Sequence, residues 1–162
     1  MPHIHDKIDF TASAYIVCGD KVLLRLHEKQ KLWLVPGGHI ELGDDPIETI
    51  HKEMKEEVGL EVRIVADPIK QFENNSDGAD YGTYLALPIF INRHRINPTH
   101  EHIDFIYAAE SDSMEINPEE GENANPDHFR WVTAEELAKL DDVSESIKYQ
   151  ALTALNKVKN SK

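Results

Sequence analysis

Cysteine is almost missing from this chain of 162 residues: Cys18 stands alone, so neither an intrachain disulfide nor a multi-cysteine zinc site can form. That suits a reducing compartment, and a cytoplasmic location is the expectation. Long apolar runs are missing too. No stretch approaches the roughly 18 apolar residues of a membrane span. The opening Met1-Pro2-His3-Ile4-His5-Asp6 has neither the basic stretch nor the apolar run of a signal peptide. Positive charge is scarce, with 17 Lys and Arg against 30 Asp and Glu and a net charge of −13 with histidines neutral. Duplex nucleic acid and anionic membranes, which bind through basic surfaces, are therefore disfavoured as partners. A small phosphate compound stays compatible if something other than Lys and Arg neutralises it, and a divalent cation is the obvious agent.

What the chain does contain is the composition of a folded domain, 40% hydrophobic and 29% charged. Its length fits a single domain over residues 1–162 with its own core. Phe10 to Val17 and Val22 to Leu26 read as strands joined by the turn Cys18-Gly19-Asp20-Lys21. Leu32 to Val35 reads as a short buried strand that stops at Pro36-Gly37-Gly38, with a loop to follow. Asp45, Pro46 and Glu48 spell a capping box with proline in the first turn, and Gly59 closes the helix they open. Within it Ile47, Ile50, Met54 and Val58 recur at helical spacing and predict a core-facing stripe. Leu60 to Ala66, Tyr81 to Ile91, Ile103 to Ala108 and Phe129 to Val132 have strand character. A short helix follows Thr133, and Ser144 to Lys159 supports a terminal helix. The expectation is an α/β fold around a mixed sheet, with two loops standing out: Glu73 to Asp80, and the long acidic stretch Glu110 to Asp127.

The chemistry concentrates between Gly38 and Leu60. Glu53, Glu56 and Glu57 stand at i, i+3 and i+4, so they share one face of the helix. Three like charges so close repel one another, unless a hard cation with oxygen ligands sits among them. Most E-x-x-E-E triplets are solvated helix faces, but here a strand, a Pro-Gly-Gly stop, a short loop and a capped helix precede the triplet in fixed order.

This segment resembles the Nudix hydrolase box, G-x5-E-x7-R-E-U-x-E-E-x-G-U, with U a bulky apolar residue. Gly38, Glu53, Met54, Glu56, Glu57, Gly59 and Leu60 match it, while Asp44 stands for the first Glu and Lys52 for Arg. Trp33, Pro36, Gly37 and Glu41 also look like the family's surroundings of the box. The resemblance implies an α/β/α sandwich and a hydrolase that cleaves the pyrophosphate of a nucleoside diphosphate linked to another moiety. Water attacks phosphorus, and a carboxylate takes its proton. Mg²⁺ or Mn²⁺ would be held by Glu53, Glu56, Glu57 and the Gly38 carbonyl. The base would be Glu53 or a glutamate of a distant loop, for which Glu119, Glu120 and Glu122 are the local candidates. Lys52 keeps the charge of the family's arginine without its planar fork, and either a substrate contact or an i,i+4 pair with Glu48 is open to it. The alternative activity is a catalytically weak Nudix domain that binds or senses a nucleotide.

Other residues are open to more than one reading. His100, His102 and Asp104 alternate along a strand and so share a face, where they are expected to contact substrate, with a second metal site as the lesser reading. Trp33 and Trp131 suit the core better than base stacking. Glu135 and Glu136 suit a helix cap. Residues Asn74 to Asp77 carry neither the proline nor the tyrosine that the family's ADP-ribose and dinucleoside polyphosphate hydrolases tend to have there, which disfavours both. Isomerase chemistry on the same fold needs a catalytic cysteine, and Cys18 reads as a packed residue where the first core strand meets its turn. The expected partner is a small nucleotide-type phosphate substrate, and a homodimer is compatible with the chain.

Overall fold

The structure is a computed structural model that describes residues 7–27, 30–69, 83–119 and 125–162. Eight strands among these residues form one mixed sheet: β1 (Ile8–Cys18), β2 (Lys21–His27), β3 (Leu32–Leu34), β4 (Gly37–His39), β5 (Arg63–Ile64), β6 (Phe90–Asn97), β7 (His100–Glu110) and β8 (Phe129–Thr133). Three helices accompany them: α1 (Pro46–Val58), α2 (Ala134–Ala138) and α3 (Glu145–Asn160).

β1 organises the sheet. Along one edge it pairs in parallel with β7, from Ile8 opposite Glu101 to Val17 opposite Glu110. Its other edge is shared. Val17 and Cys18 pair with β2, whereas Thr11, Ala12 and Ser13 pair with β4. Where the edge forks, the Ala14 amide donates to the carbonyl of Pro36 (3.2 Å), the residue that bridges β3 and β4. β2 in turn pairs with β3 and β8, and β7 with β5 and β6.

The sheet is covered on both faces because β1 is buried on both. Ala12, Ala14 and Ile16 pack against Ile50, Met54 and Val58 of α1. Tyr15 and Val17 face the opposite way, into a cluster with Leu137 of α2 and Ala151, Ala154 and Val158 of α3. This is the α/β/α arrangement expected. Asp45 caps α1 by accepting from the amides of Ile47 (2.7 Å) and Glu48 (2.9 Å), while Glu48 accepts from the Asp45 amide (2.9 Å). Gly59 ends the helix at φ +70°, a left-handed conformation that glycine adopts at no steric cost.

Three expectations are corrected. The break read at Pro36-Gly37-Gly38 is instead strand β4, because Gly37 lets the backbone lie directly on β1, and the expected loop follows it at residues 40–44. The strand expected at Tyr81 to Ile91 is found at Phe90–Asn97, and residues 83–88 are not strand. Its sequence Phe-Ile-Asn-Arg-His-Arg-Ile-Asn is charged because, among the described residues, it pairs with β7 alone and lies mostly exposed. Of Leu60 to Ala66, Arg63–Ile64 alone forms ladder pairs. Tyr81, His3, His5 and Asn74 to Asp77 lie outside the described residues.

Candidate functional site

α1 and β4 build the site together. Glu53, one turn before Glu57, is half-buried with its carboxylate against Gly38, so closely that a Cβ on Gly38 would overlap Glu53 Oε1. Glu57 is also half-buried, and its two oxygens take different partners. Oε1 accepts from the Arg25 guanidinium of β2, and Oε2 accepts from the Gly37 amide at 3.1 Å. Glu56 is exposed. Two carboxylates thus converge on the backbone of a Gly-Gly pair, with the third one turn away. The oxygen donors of the three glutamates suit a hard divalent cation, and the missing side chain of Gly38 leaves room that the Glu53 carboxylate fills.

Arg25 was not singled out from the sequence. It lies in an apolar strand, where an arginine at the sheet end facing an acidic helix was the available signal. Lys52 is exposed and pairs with Asp44 at 2.6 Å, while Glu48, the alternative i,i+4 partner, is engaged in the cap. The two departures from the box therefore meet each other. Asp44 and its surrounding acids hold the Lys52 ammonium pKa above its usual value, chiefly through this hydrogen bond.

The long acidic stretch reaches the same helix. The Asn117 amide donates to the Val58 carbonyl (3.0 Å) and the Glu119 amide to the Glu56 carbonyl (2.9 Å), satisfying carbonyls that the helix end leaves free. Glu119 Oε1 lies 3.8 Å from Lys55 Nζ. Among the described residues, Glu119 is the acid of residues 110–127 that these contacts bring to the helix carrying Glu53, Glu56 and Glu57. Glu120 and Glu122 lie outside the described residues.

His100, His102 and Asp104 share a face as the alternation predicts, and it is the Tyr15 face of β1 rather than the α1 face. Asp104 accepts from Thr11 Oγ1 (3.0 Å) and Ser13 Oγ (2.8 Å). Burial raises its carboxyl pKa, and the two hydroxyls oppose that rise. His100 is buried beside the fully buried Asp9, Nε2 to Oδ2 3.2 Å, and His39 approaches the same oxygen at 3.3 Å. His102 sits among His39, His94 and His100. Burial and those neighbours lower its pKa to about 4, so it is neutral near pH 7. Asp9, His39 and His94 were not recognised in the sequence. A polar Asp9-x-Thr11-x-Ser13 alternation inside an apolar strand was the legible sign.

The remaining aromatic and acidic residues take structural positions. Trp33 is buried, donates to Asp142 Oδ2 (2.8 Å) and lies under the Arg130 guanidinium. Trp131 donates to the Met114 carbonyl (3.1 Å), and Glu136 completes a capping box with Thr133.

Comparison with known proteins converges on one family. The family model of the NUDIX domain matches residues 9–152. The chain belongs to the Nudix family. A solved NUDIX-family hydrolase from Clostridium perfringens is 35% identical, with a TM-score of 0.76 over 93% of this chain and 97% of that one. Among curated relatives, an RNA pyrophosphohydrolase of Bartonella clarridgeiae is 30% identical over 115 residues, 70% of this chain and 63% of that protein. A probable DHNTP pyrophosphohydrolase of Lactococcus lactis is 30% identical over 112 residues, 69% and 60% respectively. The chain thus spans somewhat less than two thirds of these two relatives. No helix among the described residues of this Nudix protein is long and apolar enough to cross a membrane.

Proposed function

We propose that this Nudix chain, acting as one domain, hydrolyses a pyrophosphate bond in a nucleotide-type substrate with the help of Mg²⁺ or Mn²⁺. The observation that carries the reading is the convergence of the Glu53 and Glu57 carboxylates on the Gly37-Gly38 backbone, with Glu56 beside them. Both curated relatives are named as pyrophosphohydrolases, which supports the bond cleaved, and their different substrates leave the leaving moiety to a screen.

Glu53, Glu56, Glu57 and the Gly38 carbonyl would hold the cation. Bound there, it would supply positive charge to offset the diphosphate and the charge developing on the leaving oxygen. The chain's own residues do the rest. Gly37 and Arg25 orient Glu57 through its two oxygens, and the bare Gly38 lets the β4 backbone approach Glu53. One carboxylate accepts the proton of the attacking water. Glu53 and the loop glutamates Glu119, Glu120 and Glu122 are the candidates, and the hydrogen bonds of Asn117 and Glu119 anchor that loop to the end of α1. Lys52 holds Asp44 at the loop that enters the helix.

A screen of nucleoside triphosphates, nucleotide sugars, ADP-ribose, dinucleoside polyphosphates, RNA 5′-triphosphate ends and DHNTP, with Mg²⁺ or Mn²⁺, tests the proposal. Release of phosphate, pyrophosphate or a mononucleotide is expected, and Glu57→Gln is expected to abolish most of it. Full activity in Glu57→Gln overturns the reading, and tight nucleotide binding without turnover replaces it with that of a sensor domain.

A further inference from the structure

On the face of β1 that turns away from α1, five ionisable side chains from four strands meet: Asp9 (β1), His39 (β4), His94 (β6), and His100 and His102 (β7). Asp9 is wholly buried and His100 is 4% exposed. Asp9 Oδ2 lies 3.2 Å from His100 Nε2 and 3.3 Å from His39 Nε2. His102 is the register partner of Asp9 across the parallel pair, and its ring packs edge-on against three imidazoles at centroid distances of 4.9, 5.3 and 5.5 Å. Its Nε2 is buried and makes no hydrogen bond among the described residues, an exception in a protein interior that calls for a ligand. One ligand atom each from Asp9, His100 and His102 lies within 4.8 Å of the others.

We propose that Asp9, His100 and His102 form a binding site for a borderline first-row divalent cation, represented by Zn²⁺, separate from the carboxylate site on α1. Two imidazoles and a carboxylate are the donor set for such ions, whereas Mg²⁺ prefers oxygen ligands throughout. A tetrahedral ion with bonds of about 2.0–2.1 Å separates its ligands by about 3.4 Å, so closing from 4.8 Å needs only side-chain rotation. His39, beside Asp9, stands where a fourth ligand would come from. Because the ligands sit on paired strands, the ion ties β1 to β7 on a rigid frame. This assigns His100 and His102 a role other than substrate contact, and it does not depend on the hydrolase reading.

The test uses the full chain, stripped with a chelator and titrated with Zn²⁺ in excess Mg²⁺ while bound metal is counted by mass spectrometry. One equivalent is expected in wild type and in Glu57→Gln, and at least a tenfold loss of Zn²⁺ affinity in His102→Gln and in Asp9→Asn. Wild type that takes up no Zn²⁺, or uptake lost in Glu57→Gln and kept in His102→Gln, overturns the proposal. Since Asp9 is buried and Asp9→Asn is prone to misfold, Co²⁺ in wild type supplies an independent readout. Intense visible absorption of a four-coordinate nitrogen-containing site is expected, and the weak spectrum of a six-coordinate oxygen site overturns it. Zn²⁺ bound in wild type without any hydrolytic activity leaves this site standing while the hydrolase reading fails.

Discussion

Replacing Gly59 by alanine tests whether the acidic loop is fastened to the helix that bears the glutamates. Two costs arise from the structure. At φ +70° an alanine pays about 1–2 kcal/mol for the left-handed conformation. In addition, its Cβ would overlap the backbone carbonyl of Asn117, which cannot rotate aside as a side chain could. Asn117 must retreat, and the bonds from Asn117 to Val58 and from Glu119 to Glu56 go with it, at about 1 kcal/mol each. The expected loss is about 3–4 kcal/mol, equivalent to a Tm lower by roughly 6–16 °C for a chain of this size. Gly19→Ala is the internal control. Its φ is +62° and nothing lies within 4 Å of its Cβ, so the conformational part of about 1–2 kcal/mol alone is expected. Urea denaturation of both variants measures the difference directly. Equal losses in the two would refute the loop contact as a source of stability, and with it the anchoring of the acidic stretch at the site.

Three further outcomes are expected. Gly38→Ala forces the flexible Glu53 carboxylate aside, costing about 1–3 kcal/mol at most while reducing turnover and Mg²⁺ affinity far more, which kinetics across a Mg²⁺ series would show. Arg25→Ala removes a partner that orients Glu57 and is expected to lower activity about 10–100-fold, with Arg25→Lys recovering only part of it because the planar fork is lost. Ser13→Ala removes a hydroxyl that stabilises ionised Asp104, costing about 1–2 kcal/mol at pH 7. Because burial already raises the Asp104 pKa above its unfolded value of about 3.9, the folded state binds the proton more tightly and stability falls as pH rises through that window. The variant raises the folded pKa further, so its deficit is expected to shrink when urea denaturation is repeated near pH 4.

Much of this architecture is legible in the chain because local and global signals agree. α1 carries its cap, proline, apolar stripe and terminal glycine in one run, and all four appear where the spacing puts them. The glutamate triplet is read from the same run. β4 is not legible by propensity, since Gly37 and Gly38 look like a break. They are strand residues because β1 on one side and Glu53 on the other leave no room for a Cβ, a requirement that exists only in three dimensions. β6 escapes for the opposite reason: with few buried positions it needs no apolar alternation, and cross-strand partners such as Arg93 with Glu101 stabilise it instead. The histidine cluster is half legible. Alternation places His100, His102 and Asp104 on one face, but Asp9, His39 and His94 come from strands whose neighbours are set by topology.

The forked edge of β1 gives Glu57 a second occupation. Its Oε1 is tied to Arg25 on the β2 branch and its Oε2 to Gly37 on the β4 branch, so a single carboxylate rivets the two branches together from the helix above. A cation held by Glu57, as proposed above, would draw on the same two oxygens. Loading the ion and holding the fork shut would then be opposed demands on one side chain, and the cohesion of the sheet near the site would depend on metal concentration.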